Sequence, residues 1–232
     1  MLHGETGTVP LSLSVKIRTV CFWSKLISGS PNKLSSLIYR LLLNDFQLFQ
    51  IKHKWICFVK NILDQCGLSY IWTTQNIPDY LWLKNNVKLI LHDQYKQFWS
   101  NYISCSTKCN SYALFKTQLV LEPYLSILPV HFRSCLLKFR TTNHRFPIET
   151  GRWQKIDRQE RKCTLCTKND IGDEFHYLFI CDYFKTERKK FVSPKYFLRP
   201  NVIKFQQLLT CDNKDELTSL CKFLKILFRK FE

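Results

Sequence analysis

Glycine, acidic side chains and long apolar runs are all scarce in this sequence of 232 residues. The chain holds only six glycines and eight prolines, which argues against a low-complexity or linker-dominated protein. No apolar run approaches the roughly 18 residues that a membrane-spanning helix needs, so we expect no membrane partner. The N-terminus has no basic stretch followed by an apolar one, which argues against a secretory leader.

Several signatures of catalysis are also missing. The chain has no glycine-rich phosphate loop, no nucleophile elbow and no His-Glu-x-x-His motif. No two aspartates are adjacent, and Asp45, Asp79 and Asp93 are scattered along the chain. The sequence therefore predicts a protein that is not an enzyme.

Basic side chains outnumber acidic ones in this chain. Lys and Arg number 35 against 18 Asp and Glu, and the formal net charge is +17. A positive field of this size favours a polyanionic partner, and nucleic acid, either RNA or DNA, is the usual one. A basic composition that serves only solubility is the alternative.

Cysteine is abundant, with 11 residues, and four ligand-type side chains stand close together. They are Cys163, Cys166, His176 and Cys181, in the pattern Cys-x2-Cys-x9-His-x4-Cys. This spacing is typical of tetrahedral zinc sites. Three thiolates and one imidazole complete the coordination shell and leave no position for a reactive water, so we predict one structural Zn²⁺ ion.

The compartment is predicted from the remaining cysteines. Their total is odd and most of them stand in apolar contexts, which fits small buried side chains rather than a disulfide framework. We therefore expect an intracellular protein of a reducing compartment, either nuclear or cytoplasmic.

The spacing of His176 and Cys181 constrains the backbone conformation between them. Asp173 is a candidate N-cap, which would place His176 in the first turn of a helix. In an α-helix, positions five apart lie roughly 140° around the axis. Cys181 then reaches the same ion as His176 only if the helix ends or distorts near Ile180.

Basic segments flank the motif on both sides. Positions 131–162 contain nine Lys and Arg residues and three acidic residues. Positions 185–199 contain six Lys and Arg residues and one acidic residue. Basic side chains around a small zinc module favour phosphate contacts. The candidate nucleic-acid contacts are Arg145, Arg152, Lys155, Arg158, Arg161, Lys162, Arg188, Lys189 and Lys190. The candidate base-stacking side chains are Trp153, Phe175, Tyr177, Tyr183 and Phe184.

Helical periodicity dominates the rest of the chain. Apolar residues at spacings of three and four predict helices over 33–50 and 55–66, the latter stopped by Gly67. Pro78 and Pro129 are expected to open helices over 79–102 and 129–140. A capping box of Asn213 and Glu216 would start a last amphipathic helix. We predict an all-α fold with a Cys3His zinc module near the C-terminus, divided into a helical region 1–130, a basic zinc-binding module 131–190 and C-terminal helices 191–232.

The stretch from Arg140 to Arg188 resembles a known family. Its pattern is carried by Arg140, Asn143, His144, Arg145, Phe146, Pro147, Ile148, Glu149, Gly151, Arg152, Arg158, Arg161, the four ligand residues, Asp173, Glu174 and Arg188. This is similar to the region with a CCHC zinc-binding motif that follows the reverse transcriptase domain in LINE-type (non-LTR) retrotransposon polyproteins. Softer similarity extends upstream through Trp72, Gly67, Trp55, Trp23 and Glu5.

The resemblance implies a non-catalytic part of a larger enzyme. Polymerases of this family carry paired aspartates in a Phe/Tyr-x-Asp-Asp box and an upstream endonuclease, and neither is expected in this chain. The implied role is to hold template RNA or target DNA beside a polymerase domain that the chain lacks, so that the chain is a fragment. We expect Trp23, Trp55, Trp72 and Trp82 to pack against that missing domain.

Two other interpretations remain open. In one, the zinc ion fastens a structural or protein-interaction module whose positive charge meets an acidic partner. In the other, the chain is a retrotransposon relic without a selected function.

Overall fold

A computed structural model describes residues 1–232 and is helical throughout. It contains no β-sheet, only isolated antiparallel bridges between Thr6 and Leu121 and between Lys162 and Ile171. The predicted all-α class is therefore confirmed. None of the helices combines the length and apolar character that a membrane span requires.

The helices follow one another with short connections. In chain order they are α1 (Leu2–Thr6), α2 (Leu11–Ser28), α3 (Leu34–Leu48), α4 (Lys54–Gln65), α5 (Ser69–Thr74), α6 (Tyr80–Cys105), α7 (Asn110–Phe115), α8 (Tyr124–Ile127), α9 (Val130–Arg140), α10 (Pro147–Trp153), α11 (Lys185–Phe191), α12 (Pro194–Phe197), α13 (Val202–Leu209) and α14 (Lys214–Phe231). A π-helix spans His176–Ile180, and 3₁₀-helices span Thr107–Cys109, Arg158–Glu160 and Asp182–Phe184.

The predicted helix boundaries lie within a few residues of these. Gly67, with φ 69°, follows α4 in the left-handed region, as expected for a glycine stop. Two proline predictions need correction. Pro129 precedes α9 rather than starting it, and α6 starts at Tyr80, where the Asp79 carboxylate accepts from the backbone N–H of Trp82 at 2.6 Å.

Contacts divide the chain into two compact units. One, here called the C-terminal unit, comprises Met1–Thr8 and Trp99–Glu232, and the other, the inserted unit, comprises Val9–Phe98. This division differs from the three consecutive segments expected from the sequence, since residues 1–8 join the C-terminal unit and residues 131–190 do not separate from their neighbours.

The core of the inserted unit is built around tryptophan. Trp23 and Trp72 stack with ring centroids 5.9 Å apart, and Trp23 Nε1 donates to the Tyr39 hydroxyl at 2.9 Å. Burial raises the pKa of Tyr39 to about 12. Trp23 and Trp72 thus belong to the core of their own unit, and not to a surface left free for a missing domain.

Helix α3 turns much of its apolar surface outward. Its buried residues are Ser36 and Tyr39, whereas Leu34 is 72% exposed and Leu41 is 65% exposed. The apolar spacing that predicted this helix therefore does not mark its buried face.

The core of the C-terminal unit forms along α14. Its predicted apolar stripe is buried, with Leu217, Leu224 and Leu227 fully inaccessible. The Asn213 side chain accepts from the backbone N–H groups of residues 215 and 216, as predicted for the N-cap. The Glu216 carboxylate does not close the capping box, because it binds Lys195 and Tyr196 instead.

Candidate metal centre

A closed loop presents the first two ligand residues. The bridge between Lys162 and Ile171 and the hydrogen bond from Cys163 N–H to the carbonyl of Asp170, at 2.8 Å, tie its ends together. Inside the loop, the backbone N–H of Leu165 points at Cys163 Sγ at 3.4 Å. Backbone N–H groups directed at a sulfur stabilise its thiolate form, which is the form that binds metals.

The π-helix presents the other two ligand residues, His176 and Cys181. The Asp173 carboxylate accepts from the backbone N–H of His176 at 2.9 Å, which confirms the predicted N-cap. The expected distortion is a π turn, in which Cys181 N–H donates to the carbonyl of His176, five residues back, at 2.8 Å. This hydrogen bond brings Cys181 back over His176, which an α-helix would not do.

The four ligand atoms converge. Those of Cys163, Cys166, His176 and Cys181 all lie within 4.8 Å of one another. Cys163 Sγ and Cys181 Sγ are 3.8 Å apart, and Cys166 Sγ lies 3.4 Å from His176 Nε2. Two sulfurs at about 2.3 Å from one tetrahedral ion would be separated by about 3.8 Å, so the cluster has the dimensions of a metal site.

The electrostatics of the cluster also fit a cation. Burial disfavours the Cys163 thiolate, but the neighbouring Tyr177 hydroxyl and the backbone N–H groups directed at the sulfur outweigh it and lower the pKa of this thiol. Burial, together with the neighbouring Cys163, raises the pKa of Cys181 to about 12. Burial lowers the pKa of His176, which keeps its imidazole neutral. A divalent cation among these atoms would allow several thiolates to coexist there.

Two further side chains lie beside the ligands. The Asp170 carboxylate lies 3.4 Å from His176 Nδ1, on the side of the ring away from the sulfurs, without a hydrogen bond between them. A carboxylate in this position commonly orients a metal-binding imidazole. Arg188 donates to the carbonyls of Leu178 at 2.9 Å and Cys181 at 2.7 Å, and so satisfies the end of the π-helix.

The arrangement can hold one metal ion. No family model, no curated protein and no solved structure matches this chain.

The structure separates the nine basic candidates into two groups. Arg188 is 4% exposed, so its guanidinium does not reach a phosphate, and it does not belong to the set of candidate contacts. Arg161 donates to the carbonyls of residues 148 and 156, Arg152 pairs with Glu149 at 2.7 Å, and Arg158 lies 3.7 Å from Asp173. These arginines fasten the module together.

The other five candidates have no acidic partner. They are Arg145, Lys155, Lys162, Lys189 and Lys190, none of which forms an ion pair. All except the half-buried Lys162 are exposed. Positive charge that faces solvent without an opposing carboxylate is available to an external anion.

The aromatic candidates separate in the same way. Trp153 and Tyr183 are 56% and 49% exposed, and their rings are accessible to a base. Tyr177 and Phe184 are buried, and the half-buried Phe175 packs against Phe179 and Phe205. The stacking role expected for Tyr177 and Phe184 is therefore wrong, because both rings are buried, while Phe175 contributes part of its ring to packing inside the protein.

The structure gives a role to one acidic residue beside the motif for which the sequence provides no signal. Glu174 is buried, with Oε1 2.9 Å from His144 Nε2 and Oε2 accepting from Ser111 at 2.7 Å. Burial opposes its ionisation, and the pairing with His144 overcomes this and lowers the pKa of Glu174. No spacing rule could have found the pair, because its partners are 30 residues apart.

Proposed function

We propose that this protein is a non-catalytic nucleic-acid-binding module that one structural zinc ion holds together. We further propose that it derives from the tail of a LINE-type retrotransposon reverse transcriptase, on the strength of the motif between Arg140 and Arg188. It acts by holding RNA or DNA and performs no reaction on either.

Zinc is the metal that the ligand chemistry favours. Three thiolates and one imidazole in a compact cluster suit zinc rather than magnesium, calcium or manganese, which prefer oxygen ligands. Four protein ligands fill the zinc coordination shell, so the ion serves the fold. A reducing compartment is part of the proposal, because these thiols bind metal only while they remain unoxidised.

The nucleic-acid proposal rests on lysine side chains around the metal centre that form no ion pair with an acidic residue. Lys155, Lys162, Lys189 and Lys190 lie in the segments that surround the ligands, and none has an acidic partner. Lysines of this kind exchange their counterions for phosphates, which drives binding to nucleic acid of any sequence. The exposed rings of Trp153 and Tyr183 provide surfaces on which unpaired bases can stack.

The test is a binding measurement with a charge-matched control. Fluorescence anisotropy with labelled single-stranded RNA, single-stranded DNA and duplex DNA should give affinities that fall steeply with salt. The triple variant Lys155→Gln/Lys162→Gln/Lys189→Gln should bind at least about tenfold more weakly and with a shallower salt dependence. The control, Lys204→Gln/Lys214→Gln/Lys222→Gln, removes equal charge from outside 131–190. If both variants lose affinity equally, or if the wild-type protein does not bind, the proposal is wrong.

A second candidate function rests on helix α3. Leu34, Leu37, Ile38 and Leu41 are between 44% and 72% exposed along one helix. Exposed apolar patches commonly mark protein–protein contacts. A stable protein complex that survives nuclease treatment and is lost in Leu37→Asp/Leu41→Asp would favour an interaction module.

A further inference from the structure

The inserted unit contains a basic groove far along the chain from the zinc ligands. Its cavity of about 590 Å³ lies between α2 and α6. Arg18 and Lys25 line it from α2, and Lys84 and Lys88 line it from α6. All four are exposed, and none of them forms an ion pair.

No acidic side chain lines this groove. Residues 9–98 contain 11 Lys and Arg against four Asp and no Glu. Each aspartate is engaged elsewhere: Asp45 binds His53, Asp64 binds Lys60, Asp79 caps α6 and Asp93 binds Lys96. The groove therefore keeps its full positive charge, and a ligand must supply the compensating negative charge.

The cations are spread along the groove rather than gathered at one point. Lys84 and Lys88 are one helical turn apart, at about 6 Å along the α6 axis, and Arg18 and Lys25 are two turns apart on α2. A single small anion would contact only part of such a row. A chain of phosphates can contact all of it and release a counterion at each contact.

Aromatic rings stand among these charges. Phe22 is 54% exposed and Tyr80 is 37% exposed, and both line the same groove. The Lys25 ammonium lies 5.9 Å from the centroid of the Tyr80 ring. Exposed rings between cations distinguish a surface for unpaired bases from one for an acidic peptide, because every nucleobase offers a π-face for stacking.

We infer that the groove between α2 and α6 is a second nucleic-acid-binding site, one that takes single-stranded RNA or DNA through phosphate contacts and base stacking. It extends the proposed function to the inserted unit, and it does not depend on the zinc module because only residues 9–92 line the groove.

The test removes three charges from the groove and compares an equal loss elsewhere in the same unit. Arg18→Gln/Lys84→Gln/Lys88→Gln should weaken binding of a fluorescein-labelled 20-nucleotide single-stranded RNA at least about tenfold. It should also make the slope of log affinity against log salt shallower by about 2. The control, Lys33→Gln/Arg40→Gln/Lys52→Gln, also removes one Arg and two Lys, all exposed and outside the groove.

A further variant tests stacking alone. Phe22→Leu keeps an apolar side chain beside Trp55, whose ring centroid lies 6.0 Å from that of Phe22, and removes the stacking surface. It should weaken binding about fivefold or more without changing the salt slope. Circular dichroism should show that all variants retain the wild-type helix content.

The outcomes separate this site from the zinc module. Groove and control variants that lose affinity equally, or a groove variant that binds like the wild type, overturn the second site whatever the Lys155 triple variant does. Displacement of the RNA by polyglutamate at equal charge concentration also overturns it, since that result assigns the groove to acidic proteins. A groove variant that binds weakly while the Lys155 variant binds normally supports the groove and contradicts the zinc-module proposal.

Discussion

Glu5 and Arg140 form a fully buried ion pair between positions 135 residues apart. Arg140 Nε donates to Glu5 Oε2 at 2.8 Å, and Nη2 donates to Oε1 at 3.1 Å. The same guanidinium lies 2.6 Å from Glu122, and Tyr124 donates to Glu5 at 2.7 Å. This polar network attaches the N-terminal segment to the rest of the C-terminal unit, while Leu2 of α1 is 61% exposed.

Removing Glu5 should be costly. In Glu5→Ala, the buried Arg140 guanidinium keeps its ion pair with Glu122 but loses the second of its two carboxylate partners. Breaking a buried pair on one side costs about 3–5 kcal/mol, and we expect the free energy of unfolding to fall by about 3 kcal/mol because one carboxylate remains. Urea denaturation followed by circular dichroism measures this. Glu160→Ala, at an exposed acid of the same unit, should change stability by less than about 0.5 kcal/mol.

The metal should be present once per chain and should depend on the four ligands. We expect one zinc by elemental analysis of the wild-type protein, and little or none in Cys163→Ser or His176→Ala. Loss of the metal should unfold the segment around residues 160–185, because metal affinity is folding energy in a small site. Hydrogen exchange would locate the change. Cys105→Ser, at an exposed cysteine outside the cluster, should keep its zinc; full zinc in both ligand variants would disprove the assignment.

Substitution of Arg188 should weaken zinc binding, whereas substitution of its neighbours Lys189 and Lys190 should not. Arg188→Ala removes the donors on the carbonyls of Leu178 and Cys181, so we expect zinc affinity to fall roughly 10- to 100-fold, as for other residues that support metal ligands. Lys189→Ala and Lys190→Ala should leave zinc affinity unchanged and weaken only nucleic-acid binding. Competition with a zinc-binding dye measures the first effect. Equal zinc affinity in all three variants would contradict the supporting role of Arg188.

Tyr39 should make the inserted unit sensitive to alkali. Its folded-state pKa, about 12, lies above the usual value of 10 because the ring is buried. The neutral phenol is therefore favoured in the folded state, and this stabilisation is fully present below pH 10 and lost as the pH rises towards 12. A shift of this size corresponds to roughly 2–3 kcal/mol. Urea denaturation at pH 9 to 12, followed by tryptophan fluorescence, should show a steeper loss in the wild type than in Tyr39→Phe; parallel curves would refute this.

Local chemistry made much of the metal centre predictable. The Cys-x2-Cys turn, the Asp173 cap and the need for a distortion before Cys181 all follow from geometry within a few residues. The π turn is one of several distortions that would meet that need, so its identity was not predictable. The roles of Arg188 and Arg161 were misread because a basic residue near a zinc motif fits a phosphate contact as well as a carbonyl contact in sequence.

Long-range arrangement was beyond the sequence signals. The spacing of Leu34, Leu37 and Leu41 predicted a helix correctly but did not reveal that these side chains face outward. Likewise, nothing in the local pattern of α1 indicates that Glu5 lies beside Arg140, since the partners share no periodicity. The Glu5–Arg140 pair lies within the unit that joins residues 1–8 to residues 99–232, and the three consecutive segments expected from the sequence do not follow that division.

The placement of residues 1–8 in the C-terminal unit sets an order on folding during synthesis. Residues 9–98 are complete before Arg140 has been made, so the inserted unit can fold while Glu5 is still without its partner. The C-terminal unit closes only after a contact across 135 residues forms, which makes its assembly the slower step. A nascent chain stalled before residue 140 should therefore contain a folded inserted unit, residues 9–98, while residues 1–8 are not yet bound to the C-terminal unit.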